Sequence, residues 1–186
     1  INSNINDYSF SAGVNGKLGK WDVSLSNTFG SNTVGYKITK SINYSQFAVI
    51  NIPQSEFDAG RISFLQNTVN ADVTRKFDVA AGLNIAYGGE FRIDQYGQRA
   101  GEEASYRNFN TASGAAAGAQ VFAGFTPPYA GKFNRNSVAL YTDIELDLSK
   151  SFLVTGALRY ENYSDFGSTL NYKFASRLNI VKGLTV

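Results

Sequence analysis

Cysteine, histidine and methionine are all absent from the 186 residues, proline occurs 3 times and tryptophan once. Without cysteine there is no disulfide framework, no thiolate nucleophile and no Cys-ligated metal. Without histidine there is no imidazole base, no catalytic triad of the usual kind and no His-ligated zinc. The lack of methionine implies a processed or excised chain, and the polar stretch Ile1–Asp7 shows no signal peptide. Charged residues make up only 17 %, below the roughly 25 % of soluble proteins. The net charge of +2 gives no electrostatic footprint for nucleic acid. No apolar run approaches the ~18 residues of a transmembrane helix. That leaves a membrane β-barrel open, because such a barrel hides its apolar face in alternate residues.

What is abundant is aromatic side chains (11 Tyr, 14 Phe) and 18 Gly, arranged with a period of two rather than 3.6. The clearest stretch is Phe77–Tyr96. Its odd positions are Val79, Ala81, Leu83, Ile85, Tyr87, Gly89, Phe91 and Ile93, and its even positions include Asn84, Glu90, Arg92 and Asp94. In Arg135–Leu148 the apolar row Val138, Leu140, Ile144, Leu146 and Leu148 opposes Ser137, Tyr141, Asp143, Glu145 and Asp147. Phe152–Tyr163, Thr169–Ile180, Asp7–Gly16, Trp21–Gly30 and Ser63–Val73 repeat the pattern, with Asn27 and Asn67 as polar exceptions on apolar rows. The reading is seven strands and the start of an eighth at Leu184–Val186. No Asp, Glu, Lys or Arg falls on these apolar rows, as a hydrocarbon-facing row requires. Aromatics near strand ends (Tyr8, Trp21, Phe29, Phe77, Phe91, Phe152, Tyr160) suit two interfacial girdles.

Connections alternate in length. Gly16–Lys20, Arg75–Asp78, Ser149–Ser151 and Val181–Gly183 are short. Lys40–Glu56 and Gly97–Asn134 are long, and Ser164–Ser168 is modest. An up-and-down meander collects short turns at one end and long loops at the other. Parity predicts that Leu148 meets Phe152 across three residues, with Leu146 opposite Val154, Thr142 opposite Leu158 and Tyr141 opposite Arg159. The loop Gly97–Asn134 is long enough to be either a ligand-contacting segment or a mobile shield.

The run Ala157-Leu158-Arg159-Tyr160-Glu161-Asn162-Tyr163-Ser164-Asp165-Phe166-Gly167, then Asn171-Tyr172-Lys173, resembles a barrel segment of TonB-dependent outer-membrane receptors. So do Val79-Ala80-Ala81-Gly82-Leu83, Gly89-Glu90-Phe91-Arg92 and the loop run Gly118–Phe125. The resemblance covers nearly the whole chain. It implies an all-β antiparallel meander, about seven to eight strands of a barrel of roughly 22, in the bacterial outer membrane. It implies import of a scarce nutrient (siderophore-iron, cobalamin, haem or glycan) with TonB-delivered energy. The plug domain and the TonB-contacting segment are missing, so residues 1–186 are expected to be a fragment of barrel wall, in contact with outer-membrane lipid and self-associating or closing through its open strand edges. The alternative is a soluble antiparallel β-barrel or sandwich, a binding module without catalytic activity, whose apolar rows fill its own core.

The carboxylate rows Asp143/Glu145/Asp147 and Glu90/Arg92/Asp94 converge on no pocket. They fit a water-filled wall with cross-strand ion pairs to Arg159, Lys173 and Arg177 better than acid–base chemistry. Glu102, Glu103 and Asp94 match no calcium-loop spacing. Phe122 and Phe125 suit packing within the long loop, while Tyr106 and Tyr129 stay open as recognition aromatics. The ligand-contact candidates are therefore Tyr106 and Tyr129 in the loop and Glu90, Arg92 and Arg159 on the polar face. No catalytic residue, metal site or cofactor is expected.

Overall fold

A computed structural model of the chain describes residues 1–50, 54–181 and 184–186, without the side chain of Ala48. Eight strands are present: β1 (Asn2–Leu18), β2 (Trp21–Thr39), β3 (Glu56–Phe77), β4 (Gly82–Arg99), β5 (Gly131–Ser149), β6 (Phe152–Tyr163), β7 (Gly167–Val181) and β8 (Leu184–Thr185). Their order in the sheet is β1-β2-β3-β4-β5-β6-β7-β8, an antiparallel meander in which every sequence neighbour is a sheet neighbour. Two short helices, α1 (Tyr44–Ile50) and α2 (Glu103–Tyr106), lie in the two longest connections. β1 and β8 end the order, so the expected closure is not formed among the described residues. Lys182 and Gly183 of the expected turn Val181–Gly183, and residues 51–53 of Lys40–Glu56, lie outside the described residues.

Several expected boundaries are corrected: β1 runs on to Leu18, β2 to Thr39 and β4 to Arg99, and β5 starts at Gly131, so the connections expected at Gly16–Lys20 and Gly97–Asn134 shorten to 19–20 and 100–130. The alternation through Val79 and Ala81 is not strand: the chain turns there, with Ala80 at φ 54° and the Gly82 N–H donating to the Val79 carbonyl at 3.0 Å. β3 runs on through Phe77, so the connection is Asp78–Ala81 rather than Arg75–Asp78. Apolar turn residues had extended the period-two signal beyond the strand.

Contacts divide the chain into two units. One comprises Phe10–Phe29, Asn67–Ile93 and Arg135–Val186. Its β5–β6 register has Tyr141 opposite Arg159, Thr142 opposite Leu158 and Leu146 opposite Val154, as parity predicts. The hairpin end differs. Ser149, not Leu148, pairs with Phe152, and the register shifts between Asp147 and Ser149. A bulge at Leu148 thus absorbs the extra residue and keeps the faces matched across a two-residue turn. The Ser149 hydroxyl accepts from the Ser151 and Phe152 amides at 3.2 and 3.1 Å, which fixes that turn.

On β5 and β6 the two faces differ in exposure, whereas on β1 and β7 both faces are largely exposed. Leu140 is 62 % exposed, while its neighbour Ala139 is 2 % exposed and Ser137 is 5 %. Val138, Ile144, Leu148, Leu158, Tyr160, Leu170 and Phe174 are likewise exposed. Two of the polar residues on the apolar rows find each other: the Asn27 amide donates to Asn67 and to the Thr68 carbonyl at 3.3 Å. Trp21 meets Phe77 and Tyr87 at 6.1 and 6.2 Å between centroids, and the Arg75 guanidinium lies over the Trp21 and Phe77 rings. This is one aromatic girdle with a cation tucked into it.

The other unit comprises Ile1–Ser9, Gly30–Gln66 and Asp94–Asn134. Its core is Ile38, Phe57, Ala59 and Ala119, with Tyr36, Ala104 and Phe122 packed on it. The segment between β4 and β5 is folded rather than structureless. The Gly101 N–H donates to the Phe125 carbonyl (2.9 Å), Phe125 to Ala59 (2.9 Å) and Glu102 to Asp58 (2.8 Å). The Ser105 carbonyl accepts from Ala119 and Gly124. Asn43 ties the two connections together: its Nδ2 donates to the Ala104 and Arg107 carbonyls, both at 2.9 Å, and its Oδ1 accepts from the Ser45 hydroxyl at 2.6 Å. α1 therefore buries Ser45 and Gln46 and exposes Tyr44, Phe47, Val49 and Ile50.

Gly60 makes this packing possible. Its φ is +102°, and a Cβ there would stand 2.4 Å from the Arg99 carbonyl oxygen and 2.9 Å from the Gly101 nitrogen. At Gly30 a Cβ meets nothing within 4 Å. Gly60→Ala is expected to cost about 1–3 kcal/mol and Gly30→Ala less than about 0.5 kcal/mol, read by equilibrium unfolding in detergent micelles.

Candidate functional site

The polar faces of β4, β5 and β6 carry a connected charge cluster in the unit that holds residues 135–186. Register places Arg159 opposite Tyr141, and its guanidinium lies 5.2 Å from the Tyr141 ring centroid. Arg159 Nη2 is 3.1 Å from Glu90 Oε1 and 2.9 Å from Glu161 Oε1. Arg92 Nη1 is 4.0 Å from the same Glu90 oxygen. The Glu90 and Glu161 side chains are only 16 % and 13 % exposed, so two carboxylates share one fork of guanidinium donors in a partly desolvated place. Arg92 also reaches the Tyr163 hydroxyl, 3.5 Å from its Nη2.

Tyr141 extends the cluster to β3. Its hydroxyl donates to the Asp72 carboxylate, crossing β4 at Gly88. A Cβ at Gly88 would lie 2.1 Å from the tyrosine ring, so the missing side chain is what lets the ring lie flat over that strand. Beyond Arg92, the Tyr163 and Phe166 rings stack at 4.2 Å, and the Arg135 guanidinium lies 5.5 and 6.0 Å from their centroids.

Glu90, Arg92 and Arg159 are thus brought together. Tyr106 and Tyr129 belong to the other unit: Tyr106 closes α2 half-buried, and Tyr129 stands exposed in the Pro127–Tyr129 turn. Phe122 and Phe125 pack as expected, each 5.7 Å from Tyr36 and 5.7 Å from one another. Pairings expected of Asp143, Glu145 and Asp147 with Lys173 and Arg177 do not form among the described residues. Arg159 spends its donors on Glu90 and Glu161 instead, because two carboxylates outcompete a diagonal Asp143. The acidic trio weighed for calcium is dispersed. Glu102 accepts from Gln54 and the Asp58 amide, Glu103 pairs with Arg107, and Asp94 accepts from Gln66 at 2.8 Å. No metal-holding group occurs among the described residues.

The sequence placed Tyr141 opposite Arg159 but did not mark it as a site residue, and it did not mark Asp72, Gly88, Tyr163 or Arg135 either. Parity put Tyr141 and Asp72 on polar rows, but nothing in a single row shows that Gly88 opens a path two strands wide. Chemically, the cluster offers fixed guanidinium and carboxylate groups around aromatic rings, with no nucleophile beside a free base. Arg159→Met should lower stability by about 1–3 kcal/mol, with part recovered by adding Glu161→Gln, in a double-mutant cycle read by thermal unfolding in micelles. Arg177→Met should change it by less than about 0.5 kcal/mol.

Residues 1–185 match a family model described as "TonB dependent receptor-like, beta-barrel". Among solved structures, the siderophore receptor PirA from Acinetobacter baumannii is similar, with a TM-score of 0.62 and 14 % identity over 96 % of this chain and 24 % of that one. At that identity the likeness is one of fold, and the chain spans about a quarter of that receptor's length. No curated protein sequence matches.

Proposed function

Because the chain belongs to the TonB-dependent receptor β-barrel family, a family of outer-membrane transporters rather than enzymes, we propose that it forms part of the wall of a receptor importing a scarce nutrient. Siderophore-iron, cobalamin, haem and glycans are the candidate cargoes. The observation that carries this reading is the sidedness of the strands. On β5 the apolar Val138, Leu140 and Ile144 are exposed, while Ser137 and Ala139 on the opposite face are buried. A soluble sandwich needs the reverse; a wall with hydrocarbon on one side and water on the other needs this.

On this reading Glu90, Arg92 and Arg159 line the aqueous side. Guanidinium groups held by carboxylates can exchange part of that pairing for an anionic cargo at little reorganisation cost. Tyr106 and Tyr129, in the long connection, offer aromatic faces to a cargo arriving from outside. A plug domain and a TonB-contacting segment are proposed to come from parts of the protein other than residues 1–186.

The test is uptake. Cells lacking the parent gene, with and without the restored protein, are offered a ferric catecholate, a ferric hydroxamate, cyanocobalamin, haemin and maltodextrin. The expected result is restored uptake of one of these, abolished when TonB is removed and reduced at least about tenfold, ~1.4 kcal/mol, by Arg92→Glu with Arg159→Glu. Uptake that persists without TonB contradicts the proposal, as does restoration of none of the five.

A further inference from the structure

In the unit that holds the long connections, the segments around α1 and α2 cannot hold themselves. α1 has 7 residues and α2 has 4, both below the ~12–15 that an isolated helix needs in water. Each segment is held by the other. The Ser41 hydroxyl donates to the Gln120 carbonyl at 3.0 Å, and the Gln120 N–H donates to the Ile42 carbonyl at 3.1 Å. The Phe109 N–H donates to the Ser45 hydroxyl at 3.1 Å. The ends of the second segment are pinned separately, because backbone bonds join Gly101 to Phe125 and Phe125 to Ala59 of β3.

Asn43 sits where these bonds meet and uses its whole amide. Its Oδ1 accepts from the Ser45 and Gln46 backbone amides at 3.1 and 3.3 Å, as a capping residue does at the start of a helix. Its Nδ2 donates to the carbonyls of Ala104 and Arg107, in the last turn of α2 and just past it. One side chain thus caps the start of one helix and the end of the other. Asn43 and Ser45 are 1 % and 0 % exposed. Opening one segment alone would therefore leave desolvated donors and acceptors of the other without partners.

We infer that residues 41–46 and 103–124 open and close as one cooperative unit latched by Asn43, while the strands beneath them stay closed. Opening of either segment removes the partners that keep the other ordered. By linkage, a ligand held by one segment stabilises both. The inference stands on hydrogen bonds within this unit and does not depend on the transport reading.

The experiment is hydrogen exchange of the full chain in detergent micelles over a denaturant series. It is read at the Gln46 amide in the first segment and at the Phe109, Ala119 and Gly124 amides in the second. In the wild type these amides should share one opening free energy, lower than that of the Leu158 amide in β6. Ser105→Ala removes a hydroxyl that donates to the Glu102 carbonyl at 2.6 Å, and Ser105 bonds nothing in 41–46 among the described residues. It should still speed exchange in both segments by one common factor, about fivefold for ~1 kcal/mol. Asn43→Asp keeps oxygens for α1 but has no N–H for Ala104 and Arg107, and should speed both segments by about tenfold. Leu158 should keep its protection in each variant. Separate opening free energies for Gln46 and the second set in the wild type overturn the proposal. So does faster exchange in either variant that spares Gln46. The wild-type comparison needs no substitution, so it decides the matter even where a variant fails to fold.

Discussion

A strand that meets hydrocarbon has two obligations at once. Its backbone N–H and C=O groups must all find partners in neighbouring strands, because lipid offers none. Its side chains must divide by parity, because one face meets lipid and the other does not. The meander of β1 to β8 meets the first obligation within the sheet by pairing each strand with its sequence neighbours, and leaves the outer edges of β1 and β8 without a strand partner among the described residues. The rows of Leu140, Leu158 and Leu170 against Ala139, Arg159 and Asn171 meet the second. Everything else in the chain accommodates to that division. The Leu148 bulge protects parity through a short turn. The Asn27–Asn67 bond satisfies two of the polar side chains that violate it.

The two units use the division differently. In the one holding residues 135–186, the polar face becomes a network in which Arg159 joins Glu90 and Glu161 and Tyr141 spans β4 over Gly88. These groups hold one another in place, and on the proposed reading that preorganisation lowers the cost of recognising a cargo. In the other unit, strand ends and long connections form a small core of their own around Ile38, Phe57, Ala59 and Ala119. Asn43 and Ser105 act there as hydrogen-bond hubs for backbone that has no sheet to join. Tyr129 stands exposed on this folded segment, its backbone N–H donating to the Thr126 carbonyl at 3.2 Å.

How much was legible in the sequence follows from the range of each interaction. The face of Leu140, Leu158 or Tyr160 is a local property, fixed by its parity with its neighbours, and period two reveals it. The pairing of Tyr141 with Arg159 is nearly local, because one short hairpin carries the register. The limits appear where apolar residues sit in a turn, as at Val79 and Ala81, and where a bulge replaces a longer loop, as at Leu148. The fold of the 100–130 segment was illegible because its partners, such as Asn43 for Arg107 and Ala59 for Phe125, lie more than 60 positions away in the chain. α1 was missed for a related reason: it buries Ser45 and Gln46 and exposes Phe47 and Val49, the inverse of the amphipathic pattern that marks a helix. At the polar cluster, Glu90, Arg92 and Arg159 were legible as a set, but the route through Gly88 to Asp72 needed three strands at once.

The direction of the apolar rows is the claim on which the rest stands, and depth-dependent quenching measures it. With Trp21→Phe as background, a single tryptophan is placed at Leu140 or at Asp143 and the chain is reconstituted in bilayers brominated near the acyl-chain centre. Strong quenching at 140 and weak quenching at 143 is the expected result. Equal quenching at the two positions, or stronger quenching at 143, would contradict the account.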